Sequence, residues 1–286
     1  MSGNAVLYGI GLGVLAYGLF SVQDAAIKFL VETLPVWQVL MFRSLSVVVI
    51  CLVSGRPSLV GRAVRSPVKG KLSLRALLTM TAWLLYFTAS REMGLAQLLT
   101  LYFAAPLMVT ILSGRVLGET VTPRRWLAVG IGFVGVMFAA DPFGVEVSLP
   151  TAMVLLAAAM WSYSTILMRQ AARHETSLVQ MLYNNALIVP VTAVVSVTIW
   201  QPPSLTEWAI MGLIGVLSGI AQFLVFEMAR RTPAAVMATV EYSALIWAFI
   251  LGWLIWGDVP HAAIWIGAAL ISVSGVVLIL GERKAA

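Results

Sequence analysis

Long apolar runs separated by short polar punctuation dominate the chain. A helix needs about 20 mostly apolar residues to cross the hydrocarbon core of a bilayer. Ten segments bounded by charge, Pro or Gly reach that length: residues 4–31, 35–54, 73–93, 95–114, 122–140, 149–173, 177–200, 205–230, 234–255 and 262–281. The pattern predicts an all-α integral membrane protein of ten transmembrane helices. The longest connection, Ser54 to Leu74, carries Arg56, Arg62, Arg65, Lys69 and Lys71; the others are turns holding Pro35, Pro142, Pro202 with Pro203, or Pro260. No soluble catalytic domain fits between them. A cleavable leader is not expected either, because no basic residue precedes the first apolar run.

Composition agrees. Of 286 residues, 60% are hydrophobic and 10% charged, against roughly 45–50% and 25% in a soluble domain. Cys51 is the only cysteine, so no disulfide framework or redox chemistry is expected. The net charge of +6 acquires its meaning from position. With a cytoplasmic N-terminus, the inner loops and tail hold fifteen of the eighteen basic residues, while Asp141, Glu146, Glu207 and Asp258 fall on outer connections. Cytoplasmic loops carry the excess of Lys and Arg, so both termini are expected inside, in a bacterial-type inner membrane. The positives flank apolar segments, which disfavours a nucleic-acid partner.

An internal repeat follows. Residues 87–126 lie on residues 226–265 without a gap: Phe87 meets Phe226, Arg91 meets Arg230, Thr100 meets Thr239, Ala105 meets Ala244, Gly118-Glu119 meets Gly257-Asp258, and Trp126 meets Trp265. A second register sets Ser21 on Ser162, Lys28 on Arg169 and Arg43 on Asn184. The chain therefore reads as two five-helix halves, 1–147 and 148–286. Because five crossings are odd, the second copy must enter the membrane inverted, about a pseudo-two-fold axis in the membrane plane.

With the two halves, the Gly-acid turns Gly118-Glu119 and Gly257-Asp258, and Trp126 and Trp265 behind them, the sequence resembles the EamA-type drug/metabolite transporter superfamily over nearly its whole length. The aromatic-rich helices 3, 4 and 6 are similar to those of the YddG-type amino-acid exporters. That resemblance implies ten helices, cytoplasmic termini and a central cavity opening alternately to each side. Members of the superfamily also handle nucleotide sugars, nucleobases or drugs, and no short motif here fixes the cargo.

One motif misleads. Gly130-Ile131-Gly132-Phe133-Val134-Gly135 satisfies the dinucleotide fingerprint, but that fingerprint needs a preceding strand and a ribose-binding acid. Within a span, close helix packing is the better reading, as for Gly9 with Gly13 and Gly215 with Gly219. His174 and His261 are isolated, so neither metal nor cofactor is expected.

Polar residues inside spans cost on the order of 2.5–3.5 kcal/mol each at mid-membrane and must be paired or face water. Asp24 and Arg43 lie about 10–12 Å from the outer boundary, in consecutive spans. They are expected to form an ion pair, either bracing helices 1 and 2 or coupling an ion to transport. Gln222, Glu241 and Asn184-Asn185 lie about 10–13 Å from the inner boundary and form a second polar layer. Glu241 is the counterpart of Tyr102; its carboxylate either receives an amino group or a proton, or makes an internal hydrogen bond. On these depths Asp24 and Glu241 belong to opposite leaflets. Arg91 and Arg230 are helix-end cations expected to snorkel.

Trp and Tyr ordinarily prefer membrane interfaces. Trp83, Tyr86, Tyr102, Phe103, Trp161 and Tyr163 fall away from span ends, and lining a cavity, where rings cradle a side chain or an ammonium group, competes with plain core packing. Tyr242, beside Glu241, is grouped with them. Pro106 should kink helix 4 and suits a moving gate.

The resulting expectation is a carrier, not an enzyme, that exports amino acids, apolar and aromatic ones included, by alternating access. Another metabolite class on the same fold is the alternative: a nucleobase, a nucleotide sugar or a drug-like cation. Downhill and proton-coupled export both remain open. An intramembrane enzyme would need its nucleophile, carboxylates or metal ligands at one depth; an assembly protein would need no solvated cavity. The expected partners are a small-molecule substrate and the lipid bilayer, and a monomer suffices.

Overall fold

The computed structural model describes residues 3–117, 123–140, 148–232, 240–241 and 243–283. Twelve helices lie among them: α1 (Gly3–Leu30), α2 (Val36–Ser54), α3 (Ser58–Val64), α4 (Lys69–Ala89), α5 (Leu95–Tyr102), α6 (Ala104–Leu117), α7 (Pro123–Ala140), α8 (Leu149–Ala171), α9 (Ser177–Thr198), α10 (Leu205–Arg231), α11 (Ser243–Trp256) and α12 (Ala262–Arg283). Val240 and Glu241 are helical just ahead of α11. Six helices, α1, α2, α4, α8, α9 and α10, are long and apolar enough to cross a membrane; four shorter apolar stretches lie in α5–α6, α7, α11 and α12. The outward faces are apolar too, with Val53 81% and Val197 78% exposed, which suits lipid contact.

Local chemistry sets the boundaries. Ser148, Thr176 and Ser204 cap α8, α9 and α10 through their side-chain oxygens, and Ser204 forms a reciprocal capping box with Glu207. Two elements depart from the expected spans. The basic connection contains α3, which buries Leu59 and Ala63 one turn apart, packs on α9 and is fixed by Arg62 Nε donating to Glu175 Oε2 at 3.0 Å. The expected fourth span is split at Phe103 into α5 and α6. A proline ring clashes with the carbonyl four residues back, and four residues before Pro106 is Tyr102, where α5 ends. Pro106 itself lies in the first turn of α6, where a missing N–H is harmless.

Helix packing follows an exchange between the halves. α7 packs along α12, and α2 along α9; α4 with α8 is matched by α1 with α10, α6 with α8 by α1 with α11, and α2 with α10 by α4 with α9. The repeat registers carry the same exchange down to single hydrogen bonds. Ser162 Oγ, in α8, donates to the Ala158 carbonyl at 2.6 Å and the Ala105 carbonyl at 2.9 Å. Its counterpart Ser21 donates to the Tyr17 carbonyl at 2.9 Å and the Ala244 carbonyl at 3.4 Å. Thr79 and Ser164 share a hydrogen bond of 2.8 Å, and their counterparts Ser218 and Gln23 are joined at 2.5 Å.

Glycines permit these approaches. A Cβ at Gly135 would lie 2.8 Å from the Gly267 carbonyl, and one at Gly132 would lie 2.6 Å from the Leu107 side chain. Gly9 and Gly13 face Thr232 and Met228, and Gly215 and Gly219 face Ser46 and Ile50. Gly130 has open space, so two of the three fingerprint glycines serve helix contact.

Candidate substrate chamber

A cavity of about 90 Å³ lies between the halves. Its walls come from α1, α2, α4, α5, α8, α10 and the start of α11, whereas α7 and α12 contribute no lining residue. Several facing lining residues are repeat counterparts: Phe20 and Trp161, Trp83 and Gln222, Phe87 and Phe226, Tyr102 and Glu241. At these positions both copies contribute to the lining.

Of the expected site residues, Trp83, Tyr86, Tyr102, Trp161, Gln222, Glu241, Asp24 and Arg43 all line this cavity. Their rings form a connected box, with centroids 6.4 Å apart for Trp83 and Trp161, 6.5 Å for Tyr102 and Trp161, and 5.0 Å for the edge-to-face pair Tyr86 and Tyr102. Tyr163 is half-buried and outside the lining. Two helical residues on means about 200° of rotation, so Trp161 and Tyr163 cannot both face inward. Pro106 is buried behind the lining, and Tyr242 falls outside the described residues.

The two acids are brought together. Asp24 and Glu241, expected in opposite leaflets, line one chamber, and Tyr102 feels the charge of both. Depths of about 11 Å from each boundary leave only about 8 Å between the layers of a core about 30 Å thick, which one cavity spans. Glu241 faces the Trp161 indole N–H and the Tyr17 hydroxyl. Asp24 accepts from Gln23 Nε2 at 3.2 Å, and the Tyr86 hydroxyl approaches it without completing a hydrogen bond.

Asp24 and Arg43 interact through space, but the expected direct pair does not form. The Arg43 guanidinium lies over Trp83 instead, its Cζ 3.8 Å from the ring centroid, in a cation–π contact. The expected inner polar layer forms in part: Asn185 Nδ2 donates to Gln222 Oε1 at 3.1 Å. Arg75 joins it, donating from Nη1 to Asn184 Oδ1 at 3.3 Å and resting 4.9 Å from the Phe226 ring centroid. Arg75, only the third residue of the expected span 73–93, sits more than a turn inside α4, which begins at Lys69, and is 4% exposed.

Polar contacts tie helix ends together at one end of the bundle. Lys28 Nζ donates to the Met93 carbonyl at 2.6 Å and sits 5.0 Å from the Trp256 ring, whose Nε1 donates to Glu32 at 3.1 Å. At that same end Arg91 donates to the Leu34 carbonyl at 2.9 Å, so this cation serves the α1–α2 turn. Toward the opposite end, Ser73 and Tyr183 share a hydrogen bond of 3.0 Å, and Glu227 bridges Ser177 and Arg231.

Comparison with known proteins agrees with this architecture. A solved structure superposes with a TM-score of 0.69 at 17% identity, covering 100% of this chain and 99% of that one, a likeness of fold. The pseudopaline exporter CntI of Pseudomonas aeruginosa is 28% identical over 278 residues, 94% of this chain and 95% of the relative. The S-adenosylmethionine uptake transporter of Rickettsia bellii is 26% identical over 288 residues, 97% and 96%. The riboflavin transporter of Vibrio cholerae is 28% identical over 203 residues, 71% and 67%. The EamA-like transporter family matches residues 7–140 and again 149–281; the chain belongs to that family of membrane transporters.

Proposed function

We propose that this protein is a secondary carrier of the cytoplasmic membrane that exports amino acids, apolar and aromatic ones included, and related small metabolites by alternating access. In this reading the halves 1–147 and 148–286 are inverted copies with both termini cytoplasmic. The observation that carries it is a chamber lined by repeat counterparts from both halves, with an aromatic box and two carboxylates inside. Two similar halves can exchange conformations at nearly equal energy, which is what opening first to one side and then to the other requires. The break at Phe103 supplies a place for α5 and α6 to move separately as the chamber opens to one side and then the other.

The names of the relatives favour a second reading, another small-metabolite cargo held in the same box. Counterflow in liposomes of purified protein separates the two. Labelled methionine, threonine, phenylalanine or tryptophan should exchange, and Glu241→Gln and Trp161→Ala should abolish the exchange. Counterflow with other metabolites but none of these amino acids contradicts the cargo assignment, and exchange that survives both substitutions removes these residues from the site.

A further inference from the structure

The polar atoms left without partners around the chamber are nearly all obligate donors. They are Nε and Nη1 of Arg43, Nε of Arg75, Nε2 of Gln222 and the Tyr86 hydroxyl, each on a side chain at least nine-tenths buried. Behind the lining, Asn185 Oδ1 is an acceptor in the same state. Buried donors are expected to be paired, and a buried cation more so. Arg75 hydrogen-bonds only a neutral amide and rests on the face of a ring, with no carboxylate among the described residues paired to it. Arg43 lies on Trp83, while its neighbour Asp24 is engaged by Gln23.

Resting on the carrier reading above, we infer that the cargo carries a carboxylate, and that Arg43, Arg75 and Gln222 receive it while the apolar or planar part lies against Trp83, Tyr102 and Trp161. A guanidinium offers a planar fork of N–H groups matched to a carboxylate's two oxygens, and two such forks open on one cavity. The site breaks the repeat. The counterparts of Arg43 and Arg75 are Asn184 and Ile214, neither of which lines the cavity. Both guanidiniums therefore come from α2 and α4 of the first half, with Gln222 of α10 facing them from the second. A cation lacking a carboxylate offers the guanidinium and amide N–H groups no acceptor, so the inference ranks a drug-like amine below a carboxylate as cargo.

A charge series on one ring scaffold tests this. Half-maximal thermal stabilisation of the purified protein is measured with phenylalanine, 3-phenylpropionate, phenylalaninamide and phenethylamine. The two carboxylates should bind about tenfold or more tighter than the amide and the amine, the scale of a hydrogen bond to a charged group. Arg43→Gln and Arg75→Gln should each weaken the carboxylates by a similar factor without weakening phenethylamine, Arg→Lys should restore part of the loss, and Arg62→Gln, outside the chamber, should change nothing. Amine or amide binding as tight as the acid overturns the inference whatever the variants do. Full acid affinity in both Gln variants overturns it as well. Should no phenyl compound bind, the aromatic part of the carrier reading fails, and propionate against propylamine decides the anion assignment by the same comparison, which also fails if neither binds.

Discussion

Ser162 donates across the α8–α6 contact to the Ala105 carbonyl at 2.9 Å, and the repeat register turns this pair into Ser21 and Ala244, which are also joined, at 3.4 Å. Each serine bonds a carbonyl four residues back in its own helix as well. Ser21 and Ala244 belong to the chamber lining, while Ser162 and Ala105 lie outside it. Both fix how the first helix of one half seats against the fourth span of the other, and the exchange of partners gives two related interfaces of similar make-up.

Thr79 with Ser164 and Ser218 with Gln23 should therefore behave as one interaction made twice. Double-mutant cycles with Thr79→Val and Ser164→Ala, and with Ser218→Ala and Gln23→Leu, should each give a coupling of about 0.6 kcal/mol, typical of interhelical hydrogen bonds in membranes. Coupling in one pair alone would contradict the exchange.

Gly135→Ala places a methyl group 2.8 Å from the Gly267 carbonyl, a backbone atom that yields only if α12 shifts. Overpacking of this kind costs about 1–3 kcal/mol, so the melting temperature should fall measurably. Gly130→Ala, which enters open space, should leave it unchanged.

Lys28→Met removes the donor to the Met93 carbonyl and the charge over Trp256. Loss of a charge-assisted hydrogen bond is worth about 1.5–3 kcal/mol. That end of the chamber should loosen, seen as faster labelling of a cysteine at Ser21 by a small maleimide in a Cys51→Ala background. An unchanged labelling rate would show that Lys28 holds nothing closed.

Pro106→Ala lets the carbonyl of Tyr102 be reached by a backbone N–H and allows α5 and α6 to join. Removing a proline from a helical stretch can gain up to about 3 kcal/mol, so stability should hold or rise while counterflow slows. Transport at the normal rate through a joined helix would detach the break from the mechanism.

The spans and the repeat were legible because each leaves a local trace: runs of apolar residues of bilayer length, and identical residues such as Phe87 with Phe226 and Ala105 with Ala244. The pairing of Trp83 with Gln222 left none, since counterparts that share a place need not share a chemistry. α3 is only seven residues long, below any window sized for a membrane span; its signal was Leu59 and Ala63 at helical spacing. Arg75 read as a helix-end cation because the expected span began only two residues before it, and Tyr163 was included by proximity in sequence where helix rotation turns it away. The unpartnered donors of Arg43 and Arg75 could be seen only with every neighbour in place.

The central claim is that the second half enters the membrane opposite to the first. Ser148, exposed at the N-cap of α8, marks the junction. A cysteine placed there in the Cys51→Ala protein should react with a membrane-impermeant maleimide in intact cells. Reaction only after the membrane is opened would put the junction inside and contradict the inverted duplication on which the chamber depends.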